Sequence, residues 1–254
     1  MKLPPGPGEP AADGATALNE ATSTCRAVST LSSEVGVSGS VNGQRLRGRL
    51  LVGAAAPASA RIEAVAPFGQ PLFIFVARGN DATLLLPRDN RALEHGRAAS
   101  VLEALAGVPL DAADLRLALT GCASPRADSG HARQGGADWR IVPDGENDVY
   151  LRRDGPSSKW HVAATLHRPS TTASTADGGA DEWRAEYADF QNGLPRTVRF
   201  RSADGKRFDL RLALSQVEVN TPLGAEVFEV QIPRGADPIS LDEVRRSRLG
   251  ARQN

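Results

Sequence analysis

No stretch of this 254-residue chain approaches the ~20 consecutive apolar residues that a membrane-spanning helix needs. The longest apolar run, Leu72 to Ala77, has the length of a single strand. Net charge is also missing: 30 basic residues balance 30 acidic ones, and no Lys/Arg cluster forms a local footprint for nucleic acid, which is not expected as a partner. Lysine is nearly absent. Only Lys2, Lys159 and Lys206 are present, and the dominance of Arg beside abundant Ala is read as coding bias, with strand-exterior Arg also protecting edges and solubility. The N-terminus, Met1-Lys-Leu-Pro-Pro-Gly-Pro-Gly-Glu-Pro, lacks the apolar core of an export signal but resembles the Pro/Gly tether that follows one, so a trimmed mature form is expected. Residues 1–14 are accordingly expected to be a flexible tether.

What the chain does contain is periodicity. Leu18, Ala21, Cys25, Val28 and Leu31 recur at three-or-four spacing and predict a first helix. From Val35 the period becomes two: Leu46, Gly48, Leu50 and Val52 alternate with Arg45, Arg47 and Arg49, and Ile62, Ala64 and Ala66 alternate with Arg61 and Glu63. Asn42-Gly43 between the first two strands is a type I′ hairpin signal, because both residues tolerate positive φ. Leu72 to Val76 is apolar on both faces and predicts a deeply covered strand. Helical spacing returns at Ala98–Ala106 and at Ala112–Thr120, the second capped by Asp111 and stopped by Gly121.

After a polar connector at 123–136, strands are predicted near 138–142, 148–153 and 159–168, then near 182–190, 195–202, 207–219 and 227–232, with a second connector at Pro169–Ala180. A short polar helix closes the chain at Ser240–Ser247. The expected fold is mainly β with a few helices: an incomplete, half-open antiparallel barrel of about eleven strands, spanning 15–233, with a helical lid and a polar tail at 234–254. A sheet of that width must curl or close, and its inward positions then either fill one another or surround an apolar cavity. Shared period-two phase with charged neighbours places Leu46, Leu50, Ile62, Ile74, Trp160, Val162, Leu166, Phe200, Leu210, Leu212 and Val230 on one concave apolar surface.

Polar chemistry is sparse. His161 and His167 share a predicted strand face but stand about 20 Å apart at strand rise, and His95 and His131 lie in polar loops, so no metal site and no cofactor is expected. Gly36-Val-Ser-Gly-Ser opens a strand instead of ending one before a helix, unlike a nucleophile elbow. The carboxylate pairs Asp181-Glu182 and Asp242-Glu243 adjoin a connector and a polar helix, where solvation or capping suffices. No catalytic residue is assigned, and the chain is expected not to be an enzyme. Cys25 lies on the apolar face of the first predicted helix and Cys122 on the face of Leu115 and Leu119 at the end of the third, so both point toward the same interior; a disulfide between them is expected for an exported chain, with two buried free thiols as the alternative.

Several strings then carry a family resemblance over roughly 15–233. Arg61-Ile-Glu-Ala-Val-Ala-Pro-Phe-Gly-Gln-Pro-Leu resembles a LolB strand-loop-strand with its Pro-apolar-Gly tip. Val101 to Gly121 is similar to the helix pair that follows it, and Trp183 to Phe200 resembles a strand pair around a Leu-Pro turn. Together they resemble the LolA/LolB superfamily of lipoprotein carriers, most closely its outer-membrane receptor branch, LolB. The polar connectors are longer than in the family, and no lipobox Cys is present.

The resemblance implies a monomeric, non-enzymatic periplasmic protein, anchored to the outer membrane as a lipoprotein. It implies partners too: acylated lipoproteins or other lipids, the inner leaflet of the outer membrane, and a LolA-like carrier. It implies that the tip Pro67-Phe68-Gly69 projects to touch the membrane, whereas the residues alone equally allow Phe68 to fold back onto the core. A soluble carrier in the LolA manner and a binding module for another lipid or glycolipid are the alternatives.

Overall fold

A computed structural model describes residues 1–6, 8–66, 68–124, 126–168 and 182–247. In chain order the elements are β1 (Glu9–Pro10), α1 (Gly14–Arg26), β2 (Thr30–Val41), β3 (Gln44–Ala55), β4 (Ser59–Val65), β5 (Ile74–Arg78), β6 (Asp81–Leu86) and β7 (Arg91–Arg97). Next come α2 (Ala98–Ala106), α3 (Ala112–Thr120), β8 (Arg133–Gln134), β9 (Trp139–Asp144), β10 (Asn147–Arg152), β11 (His161–His167), β12 (Trp183–Ala188) and β13 (Thr197–Ser202). The chain ends with β14 (Phe208–Val219), a 3₁₀ turn at Ala225–Phe228, β15 (Asp237–Pro238) and α4 (Leu241–Ser247). The connector expected at 169–180 lies outside the described residues.

The chain divides into two compact units. The first comprises Met1–Ala27 with Leu117–Gly205, the second Val28–Arg116 with Lys206–Asn254. Strand order in the first is β1-β8-β9-β10-β11-β12-β13, antiparallel throughout. In the second it is β14-β2-β3-β4-β5-β6-β7-β15, antiparallel except for the parallel pair β7–β15. Fifteen strands therefore replace the eleven or so expected among the described residues. Three of the additional ones, β1, β8 and β15, are two residues long, too short to produce a period. The fourth, β7, hides its alternation because the register slips opposite Ala82–Leu84 and His95 adopts φ 55°.

In the first unit, the segment expected as a tether lies along the sheet. Glu9 and Pro10 pair with Gln134 and Arg133, the Met1 amine is 3.1 Å from Glu186, and Leu3 packs on Ile141, Tyr150, Ala164 and Leu166. Helix α1 buries Gly14, Ala17, Leu18, Thr22 and Cys25, half-buries Ala21 and exposes its other residues to water. One sheet face carries Leu151, Val162, Thr165, Ala185 and Phe200, and the other carries Tyr150, Ala164, Leu166 and Arg184.

In the second unit the Asn42-Gly43 turn has φ 48° and 78°, as a type I′ hairpin requires, and β2 and β3 pair along their full length from Thr30↔Ala55 to Val41↔Gln44. The apolar face runs through paired residues Val35, Leu50 and Ala64, and through Val52, Ile62, Phe75, Leu84 and Leu93. Helix α2 closes part of it. A Cβ added to Gly96 would collide with Leu93 and Val101, and Gly107, in the left-handed region at φ 77°, ends the helix against Val41 and Phe208. Helix α4 starts with a capping box in which Ser240 and Glu243 exchange hydrogen bonds, while Arg91 bonds the same carboxylate at 2.8 Å. The Ser240 backbone N–H, Arg91 and the Ser240 hydroxyl together hold the Glu243 carboxyl down at about 2.

The strand expected at 227–232 is absent. Two of its carbonyls, those of Val227 and Glu229, accept hydrogen bonds from Arg61, and Arg78 donates to the carbonyl of Ala225 just before it. Alternation, as in Phe228, Val230 and Ile232, marks which side chains share a face but does not itself supply a partner strand, and here the two bonded carbonyls point to a guanidinium group. Only Phe228 of the three is buried.

Candidate functional site

The apolar face of the second unit is only partly closed by helices. At the hairpin end of β2–β3–β14, Leu46 pairs with Gly39, which pairs with Leu210, and Gly48 pairs with Val37, which pairs with Leu212. Directly paired residues share a face. Leu46, Leu50, Ile62, Leu210 and Leu212 therefore stand together there, as the alternation predicts. Ile62 and Leu210 are buried, while Leu46, Leu50 and Leu212 are half-buried. Between them is Gly48, where an added Cβ would meet nothing within 4 Å. The glycine keeps space open over a floor of aliphatic side chains, a surface that can accept flexible hydrocarbon and offers no group for acid–base or nucleophilic chemistry.

Ile74 is not part of this floor. It pairs with Glu63, and Glu63 with Leu51, which places it on the opposite face from Phe75 and Ile62. A continuous apolar run carries no alternation from which phase can be read, so either parity fits. Val230 follows the 3₁₀ turn outside any strand.

The four remaining candidates belong to the first unit. Val162 and Phe200 share one face there, and Leu166 lies on the other, because the register slips between Tyr150 and Leu151 and leaves Ala163 as an extra residue. The same bulge puts His161 and His167, expected on one face, on opposite faces. Trp160 precedes β11 and is held between two guanidinium groups, Arg140 at 4.9 Å and Arg153 at 4.8 Å from its ring centroid. Such cation–π contacts make it a packing element of the first unit.

Two features of the first unit were not foreseen. A cavity of about 350 Å³ is lined by Leu3, Tyr150, Leu166, Trp183, Arg184 and Arg201, among others, and one wall comes from the N-terminal segment. Leu3 stands alone in a Pro/Gly string, so nothing in the sequence marks it as a wall. The second is the two-point ion pair from Arg140 to Asp13. The two thiols, by contrast, are joined: Cys25 and Cys122 form a disulfide with Cα atoms 5.7 Å apart.

The β4–β5 loop presents Phe68 to solvent, the alternative that the family resemblance implied, and the side chain does not fold back onto the core. Phe68 is 89% exposed, the largest exposure among the big apolar side chains described. The loop is closed at its base by Leu72 N–H to Ala64 C=O and Ala64 N–H to Phe73 C=O, both at 3.0 Å, and Arg88 donates to the carbonyls of Phe68 and Gln70. Gly69 takes φ 78°, which turns the chain back after Phe68. Pro67, the third residue of the expected tip, lies outside the described residues. Among the described residues, no group of three or more His, Cys, Asp or Glu could hold a metal ion, and no helix is long and apolar enough to cross a membrane.

No family model matches the chain, and no curated protein does. Solved structures do. A LolA superfamily protein from Nitrosomonas europaea matches with a TM-score of 0.55 at 11% identity, over 85% of this chain and 97% of that one. A DUF1329 family protein from Desulfovibrio piger gives 0.55 at 11% identity, over 87% and 98%. A domain from Vibrio parahaemolyticus provisionally described as outer membrane lipoprotein-sorting gives 0.51 at 11% identity, over 85% and 97%. The chain thus has a LolA-like fold, mainly β with four α-helices among the described residues.

Proposed function

We propose that this protein holds lipid acyl chains, those of lipoproteins foremost, and delivers them at the inner leaflet of the bacterial outer membrane in the manner of a LolB-like receptor. The observation that carries the reading is the pairing of two features within the second unit. One is an open aliphatic floor around Gly48. The other is a protruding loop that presents Phe68 to solvent at 89% exposure. An aliphatic floor with open space and no polar cluster suits hydrocarbon, whose recognition needs area and not hydrogen bonds. An aromatic held in water gains nothing there, but recovers about 1.5–3 kcal/mol when buried at a bilayer. The LolA-like fold and the lipoprotein-sorting description of one structural neighbour support the same reading.

In this reading the protein is periplasmic and works as a binding and transfer protein with no bond-making step and no cofactor. The disulfide among the described residues suits an oxidising compartment. The test is mass spectrometry of organic extracts of the purified protein, with displacement of a fluorescent fatty acid as the binding assay. Co-purified acylated species and saturable displacement are expected. Extracts without acylated species and no probe binding would refute it.

A further inference from the structure

The loop that carries Phe68 does not stand alone at its end of the sheet. The last β3–β4 pair is Arg49↔Val65, so residues 44–48 of β3 run on past the end of β4, on the side where the loop emerges. On the face away from the aliphatic floor this overhang carries Arg45 and Arg47, continued by Arg49 and Leu51. Alternate residues on a strand stand about 7 Å apart, which spaces three guanidinium groups in a row. All three arginines are exposed, and their partners across β2 are Ser40, Ser38 and Gly36, too small to cover them.

Arg211 joins the row from β14 through its pairing with Ser38. The acids on the same face are Asp209, opposite Ser40; Glu34, which pairs with Arg49 at 3.0 Å; Glu63, opposite Leu51 and bound by Arg61; Glu218, opposite Ser32; and, farther across the sheet, Asp81, opposite Arg78. Among the described residues neither Arg45 nor Arg47 holds an ion pair. Beside the row, Leu51 at 46% and Val65 at 37% are among the few large apolar side chains left exposed, and Arg88 bonds the carbonyls of Phe68 and Gln70 in the loop itself.

A chain with no net charge has here concentrated cations next to exposed aliphatic and aromatic groups. We infer that the outer face of Arg45, Arg47, Arg49, Leu51 and Val65 is a docking surface for an anionic phospholipid bilayer, seated against phosphate headgroups while Phe68 enters the acyl layer. The inference deepens the membrane-contact part of the proposed function and rests on it. Guanidinium groups suit this partner because they grip phosphate oxygens in two-point fashion, which an ammonium cannot do. The apolar groups suit it because they lie at the same level as the cations, as interfacial segments require.

Vesicle flotation with the full chain tests the inference, comparing pure phosphatidylcholine with phosphatidylcholine containing phosphatidylglycerol. Binding should be stronger on the anionic vesicles, and that excess should vanish near 1 M salt, where the screening length falls to about 3 Å. Each cation at an anionic surface strengthens binding about fivefold. Arg45→Gln with Arg47→Gln should therefore weaken anionic-vesicle binding about 30-fold and leave neutral-vesicle binding and the melting temperature unchanged. An equal charge change at exposed Arg126 and Arg234 should have little effect, which separates the row from net charge. Equal binding to both vesicle types, no vesicle binding at all, or a double variant that binds anionic vesicles like the wild type would overturn the docking surface. Fatty-acid displacement on the same preparations reports separately on acyl-chain holding, so loss of one leaves the other readable.

Discussion

Arg140 grips Asp13 at two points, Nε to Oδ1 at 2.6 Å and Nη2 to Oδ2 at 2.9 Å, across a sequence separation of 127. The guanidinium is 8% exposed and the carboxylate 46%. Arg140 also donates to the carbonyls of Gly136 and Trp139 and lies over the Trp160 ring. It thereby ties the start of α1 to β9 and the approach to β11. The Arg140 hydrogen bond holds the Asp13 carboxyl below its ordinary value.

Arg140→Ala should be the most damaging single change in this network. It removes the partner of Asp13 and the cover of Trp160 together, at a cost of about 2 kcal/mol once the exposure of Asp13 is discounted. Asp13→Asn should cost about 1 kcal/mol, since the backbone carbonyls still hold the guanidinium. Because Asp13 titrates lower in the folded state, its contribution is present above the usual carboxylate range and is lost as pH falls through its depressed pKa. Urea midpoints of wild type and Asp13→Asn should therefore converge on acidification. A difference that persists undiminished at low pH would show that the ion pair is not its source.

The Cys25–Cys122 bond closes a loop with a sequence separation of 97. In the chain-entropy model such a loop restricts the unfolded state by about 4–5 kcal/mol. Cys25→Ser with Cys122→Ser should lower stability by about 3–5 kcal/mol, measured by denaturant unfolding without reductant. Thiol titration of the oxidised, denatured wild type should find no free thiol.

Phe68→Glu should leave the melting temperature nearly unchanged, because a side chain 89% exposed has little packing to lose. Flotation with neutral vesicles should fall to background. A drop of many degrees in melting temperature with membrane contact intact would make Phe68 a packing residue.

Gly48→Leu should fill the open space on the aliphatic floor, where an added Cβ meets nothing within 4 Å. The variant should fold with stability within about 1 kcal/mol of wild type. It should bind a fluorescent fatty acid more weakly, because its side chain occupies the ligand's place. Unaltered probe binding would move the lipid site away from Gly48.

Gly39→Ala should instead destabilise the fold, through the backbone and not through the space above the floor. Gly39 has φ 142°, and a Cβ there would run into the carbonyl of Asp209 on the paired strand. Strain and collision together should cost about 2 kcal/mol or more, read as a lowered urea midpoint.

Period and turn chemistry carried most of the fold. The β2–β3 hairpin around Asn42-Gly43, helix α1 and strands β12 and β13 were legible because one face of each is wetter than the other, which writes the period into the sequence, whereas β9 to β11 are buried on both faces and were legible from their β-rich composition between polar connectors. Facing was less legible than existence. Leu166 and Ile74 were assigned the wrong face for separate reasons: a bulge at Ala163 reverses the phase within β11, and a run apolar on both sides has no phase to read. Val230 shows a third limit. Its segment alternates, but no strand pairs with it among the described residues, and the carbonyls of Val227 and Glu229 accept from Arg61 instead. Of the floor, Leu46, Leu50, Ile62, Leu210 and Leu212 were legible. The arginine row beside them was visible as sequence but was read only as strand exterior, since its meaning depends on where β4 ends.

The position of the disulfide also governs how the chain behaves when it is cut. Val28–Arg116, the first segment of the second unit, leaves the first unit just after Cys25 and returns just before Cys122, so the bond closes it into a covalent lasso. A protease that nicks any exposed turn within it, such as Asn42-Gly43, opens the loop without releasing a fragment. On a non-reducing gel the nicked protein would still migrate as one covalently joined species, and only added thiol would separate the two pieces. A peptide bond in that segment can therefore be broken under oxidising conditions while both flanking halves remain tethered and able to re-form the β2–β14 pairing.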